Sequence, residues 1–128
     1  MSEQESRLRL HPTERFAGES HVFDLNEALR ELRAEAYEAR DGHRQISIFH
    51  RAPVTKVLFA FEAGGELPDH TANGLVTIHA LEDGLTVQAA GETHELKAGS
   101  IVVLSPHVPH SVRAKKPSAM LLTVHLEG

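Results

Sequence analysis

From residue 45 onward, the sequence consists of short β-type runs separated by turn residues. The runs are five to eight residues long and rich in Val, Ile, Thr and Leu, and the segments between them contain Gly, Pro, Asp or Ser. We predict strands at QISIFH (45–50), TKVLFAFE (55–62), LVTIHAL (75–81), LTVQAA (85–90), THELK (93–97), SIVVL (100–104), HSVRA (110–114) and AMLLTVHL (119–126). Eight short strands joined by tight turns predict an all-β chain, an antiparallel barrel made of two sheets.

The first third of the chain has a different pattern. Residues 1–20 show no periodicity and contain Pro12 and Gly18, so we expect an irregular lead-in. Residues 21–44 are predicted to form a helix and a connection, with the barrel following over residues 45–128. Asp24 stands at the expected N-cap of a helix over 25–38, and Glu27 completes a capping box. One face of this helix is apolar: Leu25, Ala28, Leu29, Leu32 and Ala36.

Composition narrows the classes of partner and site. A chain of 128 residues is the size of one domain, and 13 basic against 18 acidic residues give a charge of −5. We therefore expect no nucleic-acid partner. The sequence has no basic amphipathic segment, no apolar run long enough to span a membrane and no signal-peptide pattern, so we expect a cytoplasmic protein without a membrane partner. With no Cys, any metal must be held by nitrogen and oxygen.

Histidine is abundant, and ten residues of this type raise the question of a site. Four of them lie in polar surroundings and are predicted to be at the surface: His11, His21, His43 and His94. The remaining candidates are His50, His70, His79, His107, His110 and His125.

Four segments resemble the cupin family of small jelly-roll barrels: GGELPDH, LEDGLTV, GETHELKAGSIVVLSPHVPHSVRA and MLLTVHL. The resemblance covers roughly residues 54–126 and implies a single-domain barrel of the RmlC-like, cupin 2 type. It also implies a divalent metal, Zn, Ni, Fe or Mn, bound in the barrel pocket. The family's two motifs are Gly-x5-His-x-His-x3or4-Glu-x6-Gly and Gly-x5-Pro-x-Gly-x2-His-x3-Asn.

Only part of this metal-binding pattern is present. Gly64 leads to His70 at the first ligand position, and Gly99 leads to His110 at the last. The other positions differ from the family: Ala72 at the second histidine, Val76 or Thr77 at the glutamate, Ser105 at the proline, His107 at the glycine and Ala114 at the asparagine. The resemblance therefore assigns metal ligation to His70 and His110, two donors where zinc normally takes three or four from the protein.

A third donor could come from His79 or His107. Alternation in LVTIHAL places the apolar residues Val76, Ile78 and Ala80 on one face, which we expect to face the interior, so His79 would point outward. A register shifted by one residue would turn His79 inward. His107 lies three residues before His110, in a loop at the barrel mouth. Asp69 could accept a hydrogen bond from a ligating histidine.

The family register also defines a pocket and a set of alternative functions. We predict that His70 and His110 anchor a small organic ligand, a weakly held divalent metal or both. One alternative is a metal-dependent dioxygenase or isomerase that also uses His79 or His107, and another is a non-catalytic dimeric module. The pocket is predicted to be lined by Val57, Phe59, Phe61, Ala72, Val76, Ile78 and Val112.

The last strand suggests an interface. Leu121, Thr123 and His125 alternate with core positions, and we expect this outward face to be buried in a homodimer. In the alternative arrangement, the 25–38 helix covers the same face.

Overall fold

The computed structural model describes residues 19–127, which form one helix and nine strands in two antiparallel sheets. The helix, α1, is Leu25–Arg33. The strands are β1 (His43–Arg51), β2 (Val54–Phe61), β3 (Glu66–His70), β4 (Gly74–Ala80), β5 (Leu85–Ala89), β6 (Glu92–Leu96), β7 (Ile101–Leu104), β8 (His110–Ala114) and β9 (Ser118–Leu126). The all-β, two-sheet architecture predicted from the sequence is confirmed. The predicted irregular lead-in lies almost wholly outside the described residues.

The strand order is typical of a jelly roll, in which neighbours in space come from distant parts of the chain. One sheet has the order β1-β2-β9-β4-β7, and we call it the five-stranded sheet. The other, the four-stranded sheet, has the order β3-β8-β5-β6. Strands β5 and β6 form a hairpin across Ala90 and Gly91, whose φ angles of 52° and 77° suit the two-residue turn that favours tight β-hairpins.

Strand β3 was not predicted, because its residues were interpreted as a turn. It pairs with β8 through Glu66, Leu67 and His70, with an irregularity between Leu67 and His70. Pro68 lies in that irregular part and has no N–H to donate, which is tolerated because β3 is at the edge of its sheet. Tertiary pairing with β8 therefore overrides the local turn signal.

The main core lies between the two sheets. Alternate residues of β4, Val76, Ile78 and Ala80, are at most 2% exposed and point into this core. They meet residues from the facing sheet, such as Leu85, Val87 and Val112. The period of two in the sequence thus identified the interior face of β4.

Helix α1 covers part of the outer face of the five-stranded sheet. The Asp24 side chain accepts a hydrogen bond from the Glu27 N–H at 3.0 Å, which is the predicted N-cap. Leu29 and Leu32 are buried in a second cluster with residues of β1, β2 and β9, including Ile48, Leu58 and Ala119. The helix ends at Arg33, earlier than predicted, because no large apolar side chain follows Leu32 at helical spacing and Ala36 stays exposed.

The outward face of β9, which was predicted to form a dimer interface, is packed against the cluster under α1 at one residue of the three. Leu121 packs against the cluster under α1, whereas Thr123 and His125 lie outside that cluster. Arg33 anchors the end of the helix by donating two hydrogen bonds to the Glu82 carboxylate, one of them at 3.1 Å. Leu121 is therefore partly buried against the cluster that α1 shares with the five-stranded sheet.

The surface position predicted for His43 is wrong. This imidazole is 8% exposed and lies against the rings of Phe59 and Phe61. Its Nδ1–H donates to the Glu66 carbonyl oxygen at 2.9 Å, and its Nε2 is 3.2 Å from the side-chain amide of Gln45. His43 thereby links β1 of one sheet to β3 of the other, a role that its polar sequence neighbours did not indicate.

Among residues 19–127, no helix has the length and apolar character needed to cross a membrane.

Candidate functional site

The pairing of β3 with β8 brings His70 and His110 together. They are cross-strand partners, 40 residues apart in sequence, and their ring centroids lie 4.0 Å apart with an interplanar angle of 63°. The two histidines that the family resemblance selected therefore form one contacting pair. This pair is the candidate site.

Both imidazoles are held in the same tautomer. The Nδ1–H of His70 donates to the Pro68 carbonyl oxygen at 2.9 Å, and the Nδ1–H of His110 donates to the Val108 carbonyl oxygen at 3.0 Å. A carbonyl oxygen only accepts, so Nδ1 must carry the proton in each ring. In the neutral form, each Nε2 is left with a lone pair. Backbone carbonyls, rather than Asp69, thus orient the two rings.

His110 is the buried member of the pair, whereas His70 is half-buried. The His110 side chain is 1% exposed, and its Nε2 has no hydrogen-bond partner among the described residues. Burial lowers the pKa of His110 below its ordinary value, and the neighbouring His70 lowers it further. The hydrogen bond to Val108 and the charge of Asp69 act in the opposite direction. The lowered pKa favours the neutral imidazole, in which Nε2 keeps its lone pair.

His79 does not join this pair. On β4 it alternates with the buried Val76, Ile78 and Ala80, so its side chain lies on the outer face of the five-stranded sheet. Its cross-strand partners are Leu121 on β9 and Ile101 on β7.

His107 occupies the loop before β8. Its φ of 68° is unusual for a residue with a side chain, and its backbone N–H donates to the Ala72 carbonyl oxygen at 2.9 Å. The side chain is exposed. The backbone of His107 therefore ties the β3–β4 connection to the β7–β8 loop.

The predicted pocket residues occupy two kinds of position. Those at most 4% exposed belong to the main core: Phe59, Phe61, Val76, Ile78 and Val112. Val57 and Ala72 are half-buried and pack against the edge of that core. Val108, whose carbonyl orients His110, packs there as well. Val108 thus contacts the histidine pair through its carbonyl oxygen, and the predicted pocket residues lie in or against the main core.

The site offers two imidazole nitrogens, from His70 and His110, as ligands for a metal ion. Within residues 19–127, no group of three or more His, Cys, Asp or Glu residues is arranged to hold a metal ion. The Nε2 of His110, buried and without a partner in the part of the chain that the structure describes, is the kind of atom that a metal or a hydrogen-bond donor would satisfy. A divalent ion would therefore take two ligands from the pair and its other ligands from elsewhere.

The main feature of the site that sequence reasoning missed is its backbone. The carbonyl groups of Pro68 and Val108 fix both tautomers, yet each stands two residues before its histidine in segments interpreted as turns. Side-chain patterns carry no signal for the direction of these carbonyls.

Comparison with known proteins gives a match in structure only. No protein-family model matches the sequence, and the search of curated proteins finds none similar. Among solved structures, an RmlC-like cupin from Shewanella frigidimarina matches with a TM-score of 0.69 at 19% identity, over 84% of this chain and 93% of that one. A cupin superfamily protein from Desulfitobacterium hafniense matches with a TM-score of 0.65 at 17% identity, over 71% and 84% of the two chains. This chain has the cupin fold.

The same cupin fold also occurs in an enzyme among the similar structures. Salicylate 1,2-dioxygenase from Pseudoaminobacter salicylatoxidans matches with a TM-score of 0.64 at 20% identity, over 79% of this chain. The match spans 31% of the dioxygenase chain. At such identities the likeness concerns the fold, and one fold hosts many functions.

Proposed function

We propose that this cupin binds a small organic ligand, a weakly held divalent metal or both, through the Nε2 atoms of His70 and His110. The observation that carries the proposal is the Nε2 of buried His110, which has no hydrogen-bond partner within residues 19–127. The His110 ring also contacts a second imidazole of the same tautomer. A buried polar atom without a partner is costly, so a bound group that satisfies it gains free energy.

The surroundings of the pair suggest the chemistry of an organic ligand. Neutral imidazoles with Nδ1 occupied offer acceptors at Nε2, so a ligand would present an O–H or N–H donor to them. Its apolar part would contact the half-buried Val57 and Ala72, the two outermost members of the predicted pocket. This combination describes a small, mostly apolar molecule with a hydroxyl or amine group.

A divalent metal is the alternative occupant of the same acceptors. Imidazole nitrogen suits Zn, Ni and Fe better than it suits Mn, which prefers oxygen ligands. Such an ion would supply Lewis-acid polarisation of an oxygen group on the ligand. His70 and His110 would hold it, and the Pro68 and Val108 carbonyls would keep both rings oriented.

The role proposed for the histidine pair is binding. The alternative, a metal-dependent dioxygenase or isomerase, uses His79 or His107 as a third donor. The His79 side chain lies on the outer face of the five-stranded sheet, opposite the core residues of β4. The likeness to the dioxygenase concerns the fold. Hydrogen bonding of an organic ligand to the pair needs no third protein donor, and ligand binding is the function that the geometry supports best.

The proposal is tested by ligand and metal titration of tag-free, metal-stripped protein. Zn²⁺ or Ni²⁺ is added during calorimetry and thermal denaturation, and a library of small phenols, alcohols and amines is screened by the same thermal shift. Binding raises the melting temperature, because an occupant of the folded state alone stabilises it. His70→Gln and His110→Gln should each remove the shift, whereas His94→Gln, a half-buried histidine on β6, should leave it unchanged.

Two results would overturn the proposal. One is the absence of any shift with the metals and the library. The other is a shift that persists in both the His70→Gln and the His110→Gln variant.

A further inference from the structure

The Nε2 atom of His110 is shielded from solvent as well as unpartnered within residues 19–127. On β8 the His110 side chain shares the interior face with Val112 and Ala114, and all three residues are at most 1% exposed. A ligand or a metal can reach this nitrogen only when the atoms around it move. The structure is therefore that of a closed site, and its opening needs a segment that can shift.

Two connecting segments adjoin the histidine pair in the chain. The β3–β4 connection, residues 71–73, directly follows His70. The β7–β8 loop, residues 105–109, directly precedes His110. A movement of either segment would therefore change the surroundings of the pair.

A hydrogen bond joins these two segments. The His107 N–H of the β7–β8 loop donates to the Ala72 carbonyl oxygen of the β3–β4 connection at 2.9 Å. The side chains of Ala72 and Val108, one from each segment, are partly buried against the main core. We call the hydrogen bond between His107 and Ala72 the mouth latch. It fastens together two segments that both pack against the core.

Proline restricts the β7–β8 loop at every position except one. Pro106 and Pro109 have fixed φ angles. Ser105 and Val108 each precede a proline, which biases them toward extended backbone. His107 is the residue of this loop that has neither restriction, and its φ is 68°. A rearrangement of the loop must therefore turn mainly on the backbone of His107.

The conformation of His107 carries strain. At positive φ the Cβ of an L-residue crowds the following carbonyl oxygen, which costs free energy. Between residues 19 and 127, the other non-glycine residues with positive φ are Asp41 and Ala90, and each precedes a glycine in a turn. His107 instead lies between a proline and a valine. Opening the latch lets residue 107 return to negative φ, so the strain favours opening and the hydrogen bond favours closure.

We propose that the mouth latch controls access to His110, and that His107 is the positioning residue on which the latch turns. In the closed state, Ala72 and Val108 shield the Nε2 atom of His110. When residue 107 relaxes, the hydrogen bond breaks, the two segments separate and the nitrogen becomes accessible. The inference rests on the proposed function, because the group that enters is the ligand or metal that binds the histidine pair.

Substitutions at residue 107 should shift the latch in opposite directions. Glycine adopts positive φ without a steric cost and keeps the N–H, so His107→Gly should favour the closed state. Valine is β-branched and resists positive φ, so His107→Val should favour the open state. We expect the ratio of open to closed protein to change by about fivefold or more in each case, the usual effect of strain at one such residue.

Chemical modification of histidine measures the opening without any ligand. Diethyl pyrocarbonate acylates accessible neutral imidazole nitrogens, and tandem mass spectrometry assigns the product to His110. At pH 7 the rate at His110 should be lowest in His107→Gly, intermediate in the wild type and highest in His107→Val. Hydrogen exchange of the residue 107 amide, followed by NMR, should give the same order, because this amide is the latch donor.

Asp41 provides the matched control, since it also has a positive φ, 52°. Its carbonyl oxygen accepts a hydrogen bond from the Glu66 N–H, at the end of β3 away from His70. Asp41→Gly and Asp41→Val should change the melting temperature in the same directions as the two His107 variants. They should leave the reactivity of His110 unchanged, which separates local opening from overall stability.

Zinc titration of tag-free, metal-stripped protein connects the latch to binding at the histidine pair. If only the open state binds, the measured Kd rises as the open fraction falls. His107→Val should therefore bind Zn²⁺ more tightly than the wild type, and His107→Gly more weakly, each by up to about fivefold. A His107 imidazole that ligated zinc directly would give another pattern, because both substitutions would weaken binding.

Four results would overturn the latch. The first is equal reactivity of His110 in the wild type and both His107 variants, and the second is an equal rise in Asp41→Val and His107→Val. The third is zinc binding that both His107 substitutions weaken, and the fourth is zinc binding that neither changes. The reactivities are measured without zinc, so a wild type that binds no zinc contradicts metal binding at the pair, while the order of the reactivities still decides the latch.

Discussion

His70 on β3 and His110 on β8 face each other across two strands of the four-stranded sheet, with their ring centroids 4.0 Å apart. Each ring donates its Nδ1–H to the carbonyl oxygen two residues earlier in the chain. Because both rings are fixed in the same way, the Nε2 atom of each neutral ring carries a lone pair and can accept a hydrogen bond. This relationship underlies the first two predictions.

Stability should fall as the pH drops below about 6.5, the ordinary pKa of histidine. The pKa of His110 is lowered in the folded state by burial, so below pH 6.5 the unfolded chain binds a proton that the folded chain does not. The free energy of unfolding therefore decreases as the pH falls from 6.5 to the folded pKa, by at most about 1.4 kcal/mol per pH unit for this group. Urea denaturation between pH 7.5 and 5 measures the slope.

The control for this pH dependence compares two histidine variants. His110→Gln should flatten the slope over that range, whereas His94→Gln should retain it. An unchanged slope in His110→Gln would show that His110 is not the responsible group.

Ala72→His should strengthen metal binding. Ala72 stands where the family motif has its second histidine, two residues after His70, and it is half-buried against the main core. A third imidazole would replace a water or an external ligand and complete the three protein donors common in catalytic zinc sites. We expect Zn²⁺ affinity to rise by about tenfold or more, equivalent to about 1.4 kcal/mol. Calorimetry of metal-stripped protein measures it.

Thr71→His is the matched control, since it adds the same side chain one residue away at an exposed position. Equal affinity gains in the two variants would mean that the added histidine binds zinc at the surface rather than at the pair.

Leu32→Ala should destabilise the protein by about 2–5 kcal/mol, the usual cost of deleting a buried leucine side chain. Leu32 is 1% exposed and joins α1 to the outer face of the five-stranded sheet. Chemical denaturation gives the change in unfolding free energy. Glu31→Ala, at the adjacent exposed position, should change it by less than about 0.5 kcal/mol. A small effect of Leu32→Ala would contradict the packing of the helix against the sheet.

Gly74→Ala should also destabilise the fold, by about 1–3 kcal/mol as expected for overpacking. A Cβ at Gly74 would lie 2.3 Å from the backbone oxygen of His125, on the neighbouring strand β9, and both groups are held by strand pairing. The melting temperature should fall in this variant and stay nearly constant in Asn73→Ala, an exposed change at the preceding residue. If both variants melt like the wild type, β4 and β9 are not so closely packed.

The local pattern of the sequence determined much of this fold. The alternation in LVTIHAL identified Val76, Ile78 and Ala80 as interior residues, and Asp24 was correctly placed as the helix N-cap. The N-cap depends on residues within one helical turn, and the alternation depends on neighbours along one strand. Spacing along the chain also selected His70 and His110, through the family resemblance.

Only the tertiary structure decided which segments meet. GELPDH has the composition of a turn and becomes strand β3 because β8 supplies its hydrogen-bond partners. His43 has polar neighbours in sequence and is buried because two phenylalanine rings and the Glu66 carbonyl surround it. The contact between His70 and His110 has the same origin. A period of two fixes which residues share a face of a strand, but pairing between distant strands decides what that face touches.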